Sequence, residues 1–329
     1  MNKNLKIVFM GTPEFGAIIL EGLIKNNYKP ILVVTSPDKP VGRKQILTPS
    51  PVKIIAEKNE IPVAQPERIL NLKSEILNLN PDLIVVAAYG QILPKEILEI
   101  PKYGSLNVHP SLLPKYQGAS PIQAAILNGD KETGVTIFLM DEKIDHGKIV
   151  SSIKYQVSSK MTYGELSKKL ADLGAELLIK TIPEWVKREI KPVPQDESKA
   201  TYTKILRKED GKIDWKKSAE EIERQIRAFE SWPGTFTSLK SKILKILKSE
   251  VSPLQILSPA KRGEGEEEAK LLRPKKQSGE VFLTEDGKLA VQTGNGCLII
   301  EKLQLEGGKQ LEAKEFLKGH PDFIGKILK

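Results

Sequence analysis

Cysteine is almost absent: among 329 residues there is one, Cys297. An intrachain disulfide is thereby excluded, and so is a metal cluster built on thiolates. Histidine is nearly as scarce. His109, His146 and His320 are the only three, and no two of them have the spacing of metal ligands. No run of about 18 apolar residues occurs, so no membrane-spanning helix is expected. The apolar stretch within MNKNLKIVFMGTPEFG is too short for a secretory leader and runs straight into a folded pattern. Acidic residues are in deficit, 42 against 51 lysines and arginines. The resulting net charge of +9 makes an anionic partner the expectation, with nucleic acid first among them. A cytoplasmic protein without a metal, a membrane partner or an oligomeric assembly is expected.

What is present describes a soluble globular chain, 40% hydrophobic and 28% charged, long enough for two domains. The first part alternates strand and helix. Lys6–Met10, Ile31–Thr35 and the almost wholly apolar 82–88 run DLIVVAA read as buried strands, with helices over Glu14–Lys25 and Pro51–Lys58. Further strands are predicted at Ser105–His109, Val135–Met140 and Ile149–Tyr155, and Leu166, Leu170, Leu173 and Leu177 mark one face of a longer helix. The alternation predicts an α/β domain with a Rossmann-like, doubly wound and mostly parallel sheet over 1–189. Proline and polar residues replace periodicity near 187–201, so 190–205 reads as a linker. In 206–329 a helix over Ala219–Phe229 precedes five short strands punctuated by Asp286-Gly287 and Asn295-Gly296, the pattern of a small β-barrel. Residues 258–279 read as a charged surface loop.

Two stretches invite a chemical reading. GTPEFG (11–16) follows a strand and opens a helix, as a dinucleotide fingerprint does, but Pro13 replaces the middle glycine and no acidic residue closes the second strand. A nicotinamide site is not expected. In SLNVHPSLLPKYQGASPIQ (105–123), Asn107 and His109 share one face of a strand because its side chains alternate, and Pro110 ends it. An imidazole at work needs a carboxylate to fix its tautomer and stabilise its charged form; Asp145 or Asp141, in DEKIDHG (141–147), are the candidates. A buried, satisfied histidine and a turn-capping aspartate remain the plain alternatives. His146, next to Asp145, is expected on the wrong side of the backbone or in solvent.

The whole stretch SLNVHPSLLPKYQGASPIQAAILNGDKETGVTIFLMDEKIDHGKIV resembles the core signature of the folate-dependent formyltransferases. KIVFMGTPEFG, PDKPVGRKQILTPSPVK, AAYGQILP and GKIDWKKSAEEIERQIRAFESWPGTF make it most similar to members that act on an aminoacyl-tRNA. The resemblance implies a Rossmann-like domain followed by an OB-type barrel that binds tRNA. It implies transfer of formyl from 10-formyltetrahydrofolate to the α-amine of initiator methionyl-tRNA. Asn107, His109 and Asp145 would form the catalytic set; Ser111, Leu112, Leu113 and Pro114 would bind the folate donor; Tyr89, Gly90, Gln91, Ile92 and Leu93, with Phe138, Leu139, Met140 and Asp141, would lie along its pterin. Lys39, Arg43 and Lys44, in a basic loop that would otherwise read as ordinary solvated chain, would contact tRNA, Arg43 foremost. The chain departs from the pattern at Gln117, where such enzymes often carry arginine, and in 250–278, which is longer than usual. The other readings are a formyltransferase acting on an amino sugar nucleotide or other small amine, and a noncatalytic RNA-binding protein.

Overall fold

The computed structural model describes residues 5–42, 45–239, 242–252 and 276–329. The chain divides into two compact units. The first holds the residues up to Ala124, Asp130–Ser159 and Gly164–Ile205; the second holds Ala125–Gly129, Lys160–Tyr163 and Leu206–Lys329.

In the first unit, β1 (Ile7–Gly11), α1 (Glu14–Lys25), β2 (Leu32–Val34), a hairpin of β3 (Lys39–Val41) and β4 (Ile46–Thr48), α2 (Pro51–Lys58), β5 (Val63–Ala64), α3 (Lys73–Leu79) and β6 (Leu83–Ala87) follow in order. Then come α4 (Lys95–Leu98), β7 (Ser105–His109), β8 (Gln117–Gly118), α5 (Pro121–Leu127), β9 (Glu132–Leu139), β10 (Lys148–Gln156), α6 (Tyr163–Val186) and β11 (Tyr202–Thr203). Local signals account for the starts of the helices. Glu14 stands in the first turn of α1, and α2 begins with Pro51 while the Ser50 side chain accepts from Lys53 N.

The main sheet has the order β10-β9-β7-β6-β1-β2-β5. The strands from β5 to β7 are parallel, and β9 runs antiparallel to β7 and to β10. Residues of β1 and β6 are buried throughout, as central strands covered on both faces require. Helix α6 packs on one face: a Cβ on Gly174 would come 2.8 Å from Val108 Cγ1. Because side chains alternate along a strand, Asn107 and His109 then lie on the opposite face. That face continues into a core of Val8, Met10, Val34, Ile84, Val86 and Tyr89.

The glycines of GTPEFG serve close packing. A Cβ on either Gly11 or Gly16 would come 2.8 Å from the Ala87 carbonyl oxygen, so both let β1 and α1 approach β6. The basic loop, read from sequence as irregular, contains the β3–β4 hairpin, with Lys39 opposite Thr48 and Val41 opposite Ile46. Arg43 and Lys44 lie outside the described residues.

Residues 190–205, expected as a linker, are hydrogen-bonded to the first unit. Val193 and Ile149 exchange two backbone bonds of 2.8 Å, and β11 adds as a parallel strand to β8.

The second unit opens with α7 (Ala219–Ala228), started by a capping box of Ser218 and Glu221. Strands β12 (Thr235–Leu239), β13 (Lys242–Val251), β14 (Val281–Leu283), β15 (Leu289–Gln292), β16 (Cys297–Leu305) and β17 (Gln310–Glu312) form an antiparallel sheet of order β12-β13-β16-β15-β14, with β17 on β16. Irregular registers between β13 and β16 help curl it as a half-barrel of OB type. Ile222 and Ile226 of α7 share its core with Trp215, Leu244, Leu298 and Phe316, the last from α8 (Ala313–Gly319). Gly287 and Gly296 sit at positive φ of 76° and 81°, as the DG and NG turns foretell. Much of the 258–279 segment falls outside the described residues.

Candidate active site

Strand β7 ends in His109, which is buried. Its Nε2 lies 3.0 Å from the Tyr116 carbonyl oxygen. A carbonyl can only accept, so this nitrogen carries a hydrogen. The other ring nitrogen, Nδ1, lies 3.6 Å from Asp145 Oδ2. Phe138, opposite Asn107 on β9, meets the imidazole edge-on with centroids 6.4 Å apart. The ring is therefore oriented on three sides, and one of its nitrogens is not committed to a short bond. Asn107 is half-buried on the same strand face. Among the described residues its side-chain amide has no hydrogen-bond partner.

Of the two candidate carboxylates, Asp145 is the one beside His109. Its Oδ2 accepts from Gly118 N at 2.8 Å. Asp141 instead pairs with His146, Nδ1 to Oδ2 at 2.7 Å, while His146 Nε2 contacts Glu197 Oε1 at 2.7 Å. His146, expected on the wrong side of the backbone or in solvent, is partly exposed and flanked by these two carboxylates. Hydrogen bonds to Asp141 and Glu197, in that order, raise its pKa above the ordinary value.

The strand directions add something that spacing did not show. Because β9 is antiparallel to β7, its last residue, Leu139, lies opposite Leu106 near the start of β7. The β9–β10 loop carrying Asp145 therefore leaves the sheet beside that start. Asp145 reaches back to the histidine, and the site extends along β7 as well as at its tip.

The 110–118 loop is fixed by its own polar groups. Ser111 is fully buried, and its hydroxyl donates to Lys115 O at 2.6 Å. Thr136 Oγ1 donates to Ser111 O at 2.7 Å and accepts from Leu113 N at 3.1 Å. Leu113 is buried, and Leu112 and Pro114 are half-buried. In the other expected folate stretch, Tyr89, Leu93 and Phe138 are buried, Gln91, Leu139, Met140 and Asp141 half-buried, and Gly90 and Ile92 exposed. Thr12 Oγ1 donates to Tyr89 O at 3.2 Å, tying this stretch to the end of β1. Gln91 accepts from Ile69 N at 2.8 Å and so holds the loop from below. The Tyr89 hydroxyl is buried without a partner among the described residues, and burial pushes its pKa up to about 12. Lys39 is exposed on the hairpin.

Sequence reading missed the 195–203 segment. Gln195 Nε2 donates to both Asp145 O and Gly147 O at 2.8 Å, and its Oε1 accepts from Gln117 Nε2 at 3.0 Å. Tyr116 N donates to Thr201 Oγ1 at 2.8 Å. These partners lie some fifty or more residues from the groups they hold, beyond any local periodicity.

The assembly is an amide, an imidazole and a carboxylate gathered on one sheet face under a tied loop. It can donate hydrogen bonds to a developing oxyanion and handle a proton. Comparison with known proteins identifies the lineage. A family model described as formyl transferase matches residues 5–182, and one described as formyl transferase, C-terminal domain, matches 205–321. A protein of Bacillus velezensis named methionyl-tRNA formyltransferase is 44% identical over 328 residues, covering 98% of this chain and 97% of its own. One of the same name from Halalkalibacterium halodurans is 43% identical over 319 residues, covering 96% and 95%.

The chain belongs to the methionyl-tRNA formyltransferase family.

Solved structures share the fold. An N-formyltransferase from Helicobacter canadensis in complex with folinic acid and dTDP-3-aminofucose superposes with a TM-score of 0.64 at 23% identity, over 94% of this chain and 100% of its own. HypX from Aquifex aeolicus, in complex with tetrahydrofolic acid, gives 0.61 at 16% identity over 95% and 47%. Membership of the methionyl-tRNA formyltransferase family also matches the two-unit division, an α/β sheet unit followed by an antiparallel half-barrel.

Proposed function

We propose that the enzyme transfers the formyl group of 10-formyltetrahydrofolate to the α-amino group of methionyl-initiator tRNA, giving formylmethionyl-tRNA for translation initiation. The observation that carries this reading is the His109–Asp145 pair, 3.6 Å apart, with His109 on the strand that also bears Asn107.

The chemistry dictates the roles. The methionyl amine attacks the formyl carbon in its neutral form, a C–N bond forms, and the carbonyl electron pair moves onto oxygen. Collapse of that tetrahedral oxyanion breaks the bond to N10, which takes up the proton lost by the amine. The Asn107 amide, free of protein partners among the described residues, serves as a donor to the oxyanion. One such donor is worth about 3 kcal/mol of barrier. His109 supplies its Nδ1 side to the reacting atoms, since Nε2 is engaged by Tyr116. Asp145 orients and polarises the imidazole and accepts the ammonium proton through water. The tied 110–114 loop and the 89–93 stretch form the walls for the folate donor. The basic loop that contains the β3–β4 hairpin and exposed Lys39 docks the tRNA, Arg43 of the same sequence stretch being the principal contact. The barrel unit adds phosphate contacts. No helix among the described residues is long and apolar enough to cross a membrane, and the cytoplasm is where charged tRNA and folate are both at hand.

The test is direct. Purified protein is incubated with 10-formyltetrahydrofolate and methionyl-initiator tRNA, with a dTDP-amino sugar as a parallel acceptor. Formylmethionine on the tRNA is expected. Formylation of the sugar alone would overturn the assignment in favour of the small-amine reading, and no turnover with either, despite tRNA binding, would favour a pure binder.

A further inference from the structure

We infer that Gln195 is a positioning residue for Asp145, acting through the backbone of the 145–147 turn. The inference rests on Asp145 working with His109. Asp145 occupies the left-handed region, φ +49°. That conformation costs a residue with a Cβ on the order of 1 kcal/mol and persists where the surroundings impose it.

The surroundings are specific. One side-chain nitrogen of Gln195 bridges the carbonyls on either side of His146, Asp145 O and Gly147 O, both at 2.8 Å. Its oxygen is fixed in turn by Gln117 Nε2, and Gln117 is only 2% exposed. The residue after Gln117, Gly118, sends its N–H to the Asp145 carboxylate at 2.8 Å. Backbone and side chain of Asp145 are thus held from neighbouring points of one brace, which β11 reinforces by pairing with Gln117 and Gly118. The brace needs donors for the two carbonyls and an acceptor for Gln117 on the same short planar group. A carboxamide has both; a carboxylate has no donor and an ammonium no acceptor. Without it the turn can relax to the right-handed region, and the carboxylate leaves its place beside His109.

Gln195→Glu keeps shape and removes the donors. Expected is a fall in kcat of roughly 10- to 100-fold, the scale of an ångström-sized misplacement at a reacting centre, with KM for the folate donor and for methionyl-tRNA within about two-fold of wild type. The deciding measurement is a double-mutant cycle under single-turnover conditions. If Gln195 acts through Asp145, adding Gln195→Glu to Asp145→Asn changes the rate no further. Multiplicative losses, or a wild-type kcat in Gln195→Glu, would overturn the inference. Should Gln195→Glu fail to fold, judged by folate binding, Gln117→Glu removes the donor behind Gln195 and should give a milder loss of kcat with the same non-additivity; independence would again overturn it. Asp145→Asn with full activity would instead defeat the reading of the site itself, so the two failures are distinct.

Discussion

Two loops of the first unit are built on opposite plans. In the 110–118 loop the polar groups turn inward: the Ser111 hydroxyl, the Ser111 carbonyl, Leu113 N and Tyr116 N all have protein partners. In the β3–β4 hairpin the backbone is satisfied by its own ladder, while Ile46 and Leu47 stand 61% and 67% exposed. The first loop is set before anything binds, which suits a wall beside reacting atoms, where small displacements are costly. The second offers apolar and cationic side chains outward and suits a large partner that completes it. The difference teaches that one unit can carry a loop fixed by its own polar groups and a hairpin whose apolar side chains face outward; on the function proposed above, the first serves chemistry and the second recognition.

The largest effect should come from the strand beneath the first loop. His109→Ala or Asn107→Ala is expected to lower turnover by at least about 100-fold, the scale of a lost oxyanion donor or acid–base group. Near-normal initial rates in a folded His109→Ala protein would erase the chemical side of the contrast. Next is the loop's anchor. Thr136→Val leaves the buried Ser111 carbonyl and Leu113 N–H without their partner, and urea denaturation should show a loss of about 1–3 kcal/mol. An unchanged midpoint would mean that the loop is not held as described.

On the recognition side, Arg43→Ala should weaken the tRNA-dependent step and leave folate binding unchanged. The log–log salt dependence of initial rates should flatten by about one unit per lost phosphate contact. Equal losses toward folate and tRNA would dissolve the separation. Smallest is the His146 clasp. Its raised pKa means the folded form holds the proton more tightly than the unfolded chain, so its stabilisation is complete below the ordinary value of 6.5 and is lost as pH rises through the folded value. The Tm difference between wild type and His146→Gln should therefore shrink as pH rises above about 6.5. A difference constant with pH would leave the charge of the pair without effect.

How much of this was legible depends on the range of the interaction. Asn107 and His109 could be placed on one face because alternation along a strand is local, and Glu14–Lys25, Pro51–Lys58 and Cys297–Leu305 follow from apolar spacing, caps and turn residues. Spacing left Asp141 and Asp145 equivalent. The choice is made by the positive φ at Asp145 and by a Gly118 N–H twenty-seven residues away. The β3–β4 hairpin was hidden because Pro40 argues against a strand and its three-residue arms are too short to show a period. The pairing of β8 with β11 is shorter still, two residues each, and joins parts of the chain about 85 residues apart. It could only be seen once the chain was folded.

The lone thiol has a practical consequence. Cys297 begins β16, is 4% exposed, and its carbonyl accepts from Ser252 N at the far end of β13. A thiol reagent has no other target in the chain. Its labelling rate therefore clocks the opening of the half-barrel alone and is silent about the formyl-transferring unit. Measured with and without tRNA, that single chemical signal would report whether the half-barrel tightens around its substrate.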